Sequence, residues 1–282
     1  MKAKRGLALW RLAHYLFLTA LGLVLIFPLV YIFFATFKTS NEIFSSMDLL
    51  PHQFTLDGYI NGWKGVGNAA FYTFILNSFA LTLPSVLFTI LSSLVVAYGF
   101  SRFEFPGKSL FFNLMMALMM LPGAVLIIPR YLLYASLGWI NSYFPFWIPA
   151  LFATSSFFIY MFVQFFRGLP SELDEAATID GCGSMGVLVH VLLPLCKPAI
   201  ISAAIFQFIW TWNDFMSQYI YISSVSKYTV SLGLRMAIDG TSRIDWSNVL
   251  AMSVVAMLPC VLVFLFLQKY FVEGIATSGL KG

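Results

Sequence analysis

Formal charge is the scarcest thing in this 282-residue chain: Asp, Glu, Lys and Arg make up only 10% of it, against about 25% in a soluble domain. With 60% hydrophobic residues and a mean hydropathy of +0.86, that shortage excludes a soluble globular domain, intrinsic disorder and a coiled coil. Cysteine is also thin. Cys182, Cys196 and Cys260 are odd in number and widely spaced, so neither a disulfide scaffold nor a zinc site is indicated. His14, His52 and His190 are scattered, and neither HExxH nor GxSxG occurs. The acids Glu172, Asp174, Glu175 and Asp180 have no histidine or cysteine at ligand spacing, so neither catalysis nor a metal is expected on this chain. One fragment of a phosphate loop is present, Gly107-Lys108-Ser109, but the pattern needs a glycine where Arg102 stands, so no nucleotide site is expected. The net charge of +4 is too small and dispersed for a nucleic-acid binder.

Long hydrophobic runs are what the chain has in abundance. A membrane needs about 20 apolar residues per helix, and six runs qualify, at about 12–37, 71–100, 109–133, 143–166, 198–221 and 248–267. An all-α membrane protein with six transmembrane helices in a single domain is therefore expected over 1–282. The first run is too long for a signal-peptide core of about 7–15 residues and reads as a retained span. Alternating strands of the outer-membrane type are absent. Prolines such as Pro28, Pro84, Pro122, Pro129, Pro145, Pro149 and Pro259 lie inside the runs and predict kinks whose freed carbonyls find neighbours.

Six spans put both termini on one side, and basic residues choose which. Lys2, Lys4, Arg5, Arg11, Arg102, Lys108, Arg167, Lys197, Lys269 and Lys281 fall on the terminal side; Lys38, Lys64, Arg130, Lys227, Arg235 and Arg243 fall on the other. Positive residues favour the cytoplasm, so the termini are expected there. Three connections are long enough to carry function: outer 38–70, outer 222–247, and inner 167–197. The second reads as polar, with Arg235, Asp239, Arg243 and Asp245 and no apolar run, and suits contact with a soluble partner through Thr241 and Ser242.

The inner connection reads RGLPSELDEAATIDGCGSMGVLVHVLLPLCKP. Ser171 with Asp174 resembles a capping box, and acids crowd the first turn, so a helix is expected from Glu172. Gly181 and Gly183 offer its stop, Ser184 can cap a second helix, and Pro194 and Pro198 mark re-entry to the fifth span. The spacing Glu175-Ala176-Ala177, Gly181, Val191-Leu192-Leu193-Pro194 resembles the EAA signature of integral-membrane subunits of binding-protein-dependent ABC importers. Further stretches look like the carbohydrate-uptake branch, in its smaller permease of the maltose and glycerol-phosphate type: Asn77-Ser78, AYGFSRFEFPGK from Ala97, MLPG from Met120, Ile179-Asp180-Gly181, Trp212-Asn213-Asp214, and KYFVEG from Lys269.

The resemblance covers nearly the whole chain. It implies a type I ABC importer permease fold in the bacterial cytoplasmic membrane, forming half of a translocation pathway for an oligosaccharide. It also implies a homologous second permease and an extracytoplasmic solute-binding protein. Two ATP-binding subunits, holding ATP and Mg that this chain does not hold itself, would dock on the inner segment as a coupling helix. Glu175, Ala176, Ala177, Asp180, Gly181 and Pro194 would carry that coupling.

Span five carries a polar stripe. Gln207, Thr211, Asp214, Gln218 and Tyr221 recur at helical spacing, with Trp210 alongside, and a weaker stripe in span four includes Tyr160. An intramembrane Asp costs about 2.5–3.5 kcal/mol on insertion scales, so this face must meet protein or water. It lines a sugar path, or it packs with Asp214 capping backbone where the span bends. The rival to the importer reading is a stand-alone secondary transporter or channel. That would need several midplane ionisable residues, of which Asp214 is the one clear candidate.

Overall fold

The computed structural model describes residues 2–239 and 244–279, with side chains at 10–239 and 244–269. Thr241, Ser242, Arg243 and Lys281 lie outside the described residues, as do the side chains of Lys2, Lys4, Arg5 and 270–274. Among the described residues there are helices and no strands. In chain order they begin α1 Lys2–Ala35, α2 Ser40–Ser45, α3 Asp57–Trp63, α4 Phe71–Arg102 and α5 Lys108–Met119. A 3-10 turn, Gly123–Leu126, leads into α6 Ile127–Ser136, α7 Phe144–Leu151, α8 Ser156–Gly168 and α9 Glu172–Ile179. Then come α10 Ser184–Gly186, a π-helical turn Val187–Leu192, α11 Leu193–Leu195, α12 Lys197–Asn213, α13 Phe215–Tyr221, α14 Val230–Asp239 and α15 Trp246–Gly279.

Four stretches are long and apolar enough to cross a membrane: Trp10–Ala35, Phe71–Arg102, Phe144–Gly168 and Trp246–Lys269. Two bent pairs bring the count to as many as six where each pair is one span. The run expected at 109–133 turns by 100° between Lys108–Met119 and Gly123–Ser136. Pro122 explains the break, since it offers no amide to the helix and disfavours helical geometry in the residue before it. The other pair, Ser184–Leu195 with Lys197–Asn213, bends by 78°. The run expected at 143–166 is also interrupted, with Ala153 at a φ of 54° between α7 and α8.

The chain divides into two compact units. The first takes the chain up to Tyr72 together with Leu234–Met257. Its α1 is apolar along Trp10–Ala35 and has no buried residue in its most apolar stretch, so it needs lipid or another protein to cover it. The end of α1 is anchored by a fully buried Lys38. Its ammonium donates to the Asp48 carbonyl and sits 5.3 Å from the Tyr31 ring centre, while its own carbonyl accepts from Ser247 Oγ at 3.0 Å. Gly58 and Gly62, one turn apart on α3, let it lie against the start of α15. A Cβ on either would come within 2.7 Å of Ser247 or Met252.

The second unit spans Thr73–Gly233 and the chain from Leu258. Its core centres on Phe158, Phe162 and Phe166, one turn apart on α8, which meet Ala199 and Ala203 of α12 and Leu192. The buried side of α4 combines apolar residues such as Phe74, Leu81, Leu94 and Ala97 with a row of small hydroxyls, Ser78, Thr82, Ser85, Thr89 and Ser93, at helical spacing. Near Pro84 the Leu81 carbonyl accepts from both Ser85 Oγ, at 2.7 Å, and the Trp147 indole of α7, at 3.1 Å. The segment 222–247 is less polar than its composition suggests, because α14 buries Val230 and Leu232 at its start.

Candidate functional site: a docking helix and a polar cavity

Helix α9 begins at Glu172 with Glu172, Asp174 and Glu175 in its first turn, the end where a helix dipole favours anions. The capping box does not form: Ser171 makes no side-chain cap bond, and Asp174 turns instead to Arg102 of α4. The stop is a Schellman motif. Gly181 holds a φ of +89°, its amide donates to the Thr178 carbonyl at 3.0 Å, and the Cys182 amide donates to Ala177 at 2.9 Å. Ser184 does not cap the next helix, whose cap position is Gly183. Pro194 denies an amide to the turn before it, and the chain there widens to the π-helical turn. Ala177, Val187, Leu188 and Leu192 face the core, whereas Glu175, Ala176 and Asp180 are exposed. Ile179, at 86% exposure, stands out as an apolar side chain with nothing against it.

A second feature is a cavity of about 370 Å³ in the unit formed by Thr73–Gly233. Its walls are Ser85 of α4, Arg130 and Tyr134 of α6, Phe146 of α7, Gln207 and Thr211 of α12, and Ser217 and Tyr221 of α13. Asp214 sits at the break between α12 and α13, with a ψ of 83° that stops the first helix, and its carboxylate accepts the Ser217 amide at 3.0 Å. It therefore caps α13 while also lining the cavity. Gln207 donates to Thr211 Oγ1 at 3.0 Å, and Tyr134 meets Tyr221 edge-on at 5.3 Å.

That break changes which stripe residues share a face. Gln207, Thr211, Asp214 and Tyr221 line the cavity, but Gln218 is 1% exposed and points elsewhere. It donates to the Thr211 carbonyl at 2.8 Å, a group near the end of α12, and accepts from Thr229 Oγ1. Ser217 takes its place in the wall. Trp210 lies outside this cavity, packed at tilted angles among Phe157, Phe158 and Phe206, where it borders a shallower depression beside Gln207 and Asp214. Tyr160 packs into the core near Phe112.

Residues 58–277 match the family described as "Binding-protein-dependent transport system inner membrane component". The chain belongs to this family. The permease is 32% identical over 281 residues to the probable ABC transporter permease protein YurM of Bacillus subtilis, covering 100% of this chain and 92% of that one. It is 30% identical to the arabinooligosaccharides transport system permease protein AraQ of the same organism, over 98% and 97% of the two chains. It is 32% identical to the sn-glycerol-3-phosphate transport system permease protein UgpE of Escherichia coli, over 90% and 92%. Its fold matches a chain from the crystal structure of a bacterial ABC transporter involved in the import of the acidic polysaccharide alginate. The TM-score is 0.82 at 21% identity, covering 93% of this chain and 96% of the other.

Several residues of the permease sites carried no local signal. Arg130 and Tyr134 reach the cavity because α6 follows the 100° bend, and Ser85 because α4 turns its hydroxyl face inward. Arg102 stands in a stretch whose spacing pointed to the family but not to its partner Asp174. For Ile179 a signal existed: a β-branched apolar residue beside Asp180 at the end of a short acidic helix has no place in a solvated loop.

Proposed function

We propose that this permease forms half of the translocation pathway of a carbohydrate importer in the bacterial cytoplasmic membrane. It spans six times with both termini in the cytoplasm and pairs with a homologous second permease. A soluble receptor delivers an oligosaccharide from outside, and two separate subunits holding ATP and Mg drive the cycle. The observation that carries the reading is α9. It is a short helix held to the core by Ala177, ended by Gly181, and facing outward with Glu175, Ala176, Asp180 and the bare Ile179.

Such a face fits a cleft in an ATPase: small Ala176 permits close approach, Ile179 supplies apolar area, and the carboxylates pair with basic groups. Closure of the ATPase pair then tilts the helices joined to the segment, α8 before it and α12 after it through Pro194. The cavity is the candidate sugar site. Gln207, Thr211 and Ser217 offer hydroxyl and amide partners, and Tyr221 and Tyr134 offer ring faces, the mix that fixes an orientation in a binding pocket. Gln218 supports this wall from behind, and Trp210 and Tyr160 lie outside it.

The test is ATP hydrolysis by the assembled, reconstituted transporter across a panel of receptors loaded with different oligosaccharides. Stimulation by one loaded receptor and by no empty one supports the reading. Uptake that persists in the absence of the ATPase subunits overturns it in favour of a secondary transporter.

A further inference from the structure

The segment that carries α9 is joined to α8 and α12 by chain, yet its tightest side-chain contacts run to α4. Arg102, the last residue of α4, brings Nε to 2.6 Å from Asp174 Oδ2, with the two side chains only 13% and 20% exposed. The contact is short but off-line, an ion pair more than a directed hydrogen bond. The same guanidinium donates through Nη2 to the Leu169 carbonyl at 3.1 Å, just before α9. One turn earlier, the buried Tyr98 donates its hydroxyl to the Ser184 carbonyl at 3.0 Å, just after α9. The segment is thus gripped on both flanks by one helix end. Asp174 is the acid of α9 that turns inward, while Glu172, Glu175 and Asp180 stay exposed.

The other parts of α4 make its grip matter. Ser85, 17 residues before Arg102 and so about 26 Å along the helix axis, is a wall of the polar cavity. Beyond it, Asn77 donates to the carbonyls of Ser226 and Tyr228, both at 2.9 Å, and Ser78 accepts the Val230 amide at 2.9 Å, tying the 222–233 stretch to the far end. Between these anchors the buried face mixes the small hydroxyls with Leu81, Ile90, Leu94 and Ala97, the last three packed into the core of the unit. Thr82 Oγ1 and Ser93 Oγ have no hydrogen-bond partner there, whereas Ser92 Oγ donates to the Ala150 carbonyl at 2.6 Å and the Trp147 indole donates to the Leu81 carbonyl at 3.1 Å, tying α4 to α7, whose Phe146 is another wall of the cavity.

We propose that Arg102 and Tyr98 are positioning residues that make α4 a transmission arm. Displacement of α9 reaches the cavity wall through α4 as well as through α8 and α12. This rests on the reading of α9 as the ATPase docking helix. A buried ion pair is a weak stabiliser compared with an apolar contact of the same shape. Its use at a moving joint is registry, because Arg102 has one carboxylate and one carbonyl to hold and no neighbouring position to slip to.

The test uses the complete transporter in proteoliposomes, with the three native cysteines replaced by alanine and a single cysteine at position 176 or 207. Position 176 reports docking by crosslinking to the ATPase. Position 207 reports the cavity through its labelling by a charged maleimide, without nucleotide and with ATP, Mg and vanadate. In the parent the labelling rate changes with nucleotide by about tenfold, within the usual 5–150-fold range of coupling between sites. With Arg102→Met the 176 crosslink is expected to persist while the nucleotide-dependent change at 207 is lost. The charge swap Arg102→Asp with Asp174→Arg is expected to restore most of it, and Tyr98→Phe to lose part. An unchanged response in Arg102→Met overturns the proposal, as does a swap no better than the single change. Equal loss of the 176 crosslink in Arg102→Met and the swap also overturns it, since the pair would then merely fold the loop. Absence of the 176 crosslink in the parent removes the docking reading itself, and this inference with it.

Discussion

Replacing Gly181 tests the proposed docking role of α9 at the helix's most demanding backbone position. Its φ of +89° lies where an L side chain is strained, and the strain is about 1–2 kcal/mol for an ordinary residue. A Cβ built there meets nothing within 4 Å, so collision inside the chain adds nothing to that figure. The substitution series should therefore follow backbone preference and not side-chain size. Asn, which tolerates the left-handed region, should come closest to glycine. Ala should shift the local equilibrium of the Schellman stop by about 5- to 30-fold, and β-branched Val by more. The loss is of the two bonds from Gly181 and Cys182 that end α9, so α9 frays toward Asp180 and Ile179 and its outward face loses its shape. Membrane insertion should be unaffected. The assay is co-purification of the ATPase subunits with each variant at matched membrane levels, followed by receptor-stimulated hydrolysis, with the expected order Gly, Asn, Ala, Val. If Asn and Val are equally damaging, bulk at the docking surface is what matters and the conformational argument fails. If Val behaves as glycine does, α9 is not a coupling element.

Further outcomes follow from the cavity and its supports. Gln207→Ala should reduce uptake without lowering thermal stability in detergent. Gln218→Ala should lower stability by about 1–3 kcal/mol, because the Thr211 carbonyl and Thr229 hydroxyl lose a buried partner; equal melting temperatures for the two would contradict this division. Asp214→Ala should cost about 0.5–2 kcal/mol as a lost helix cap, most of it recovered by Asp214→Ser. Thermal unfolding separates that effect from transport, and a serine variant as unstable as the alanine variant would remove the capping role. Cysteines at 207 and 217 should react with a membrane-impermeant maleimide, whereas one at buried Ile205 should not. Rates at 207 and 217 as low as that at 205 would mean that the cavity is closed to water.

Much of this permease could be read in its order of residues, because membrane insertion is a local problem. Each run of apolar residues must satisfy its own backbone bonds in lipid, so the helix at Phe71–Arg102 follows from composition along one stretch. The start of α9 at Glu172 and its stop at Gly181 are likewise local, one set by acids at a helix N-terminus and the other by the residue that accepts a positive φ. What the fold alone decided depends on phase and distance. Helical spacing put Gln218 on the face of Gln207 only while span five was taken as continuous; one ψ angle at Asp214 resets the phase, brings Ser217 to the cavity and sends Gln218 to brace the break. The 100° turn after Met119 carries Arg130 to a wall that no periodicity in its own run could indicate. Arg102 and Asp174 lie far apart in sequence and meet because α4 ends beside α9. A pairing between elements is set by packing of the whole unit, which no window along the chain contains.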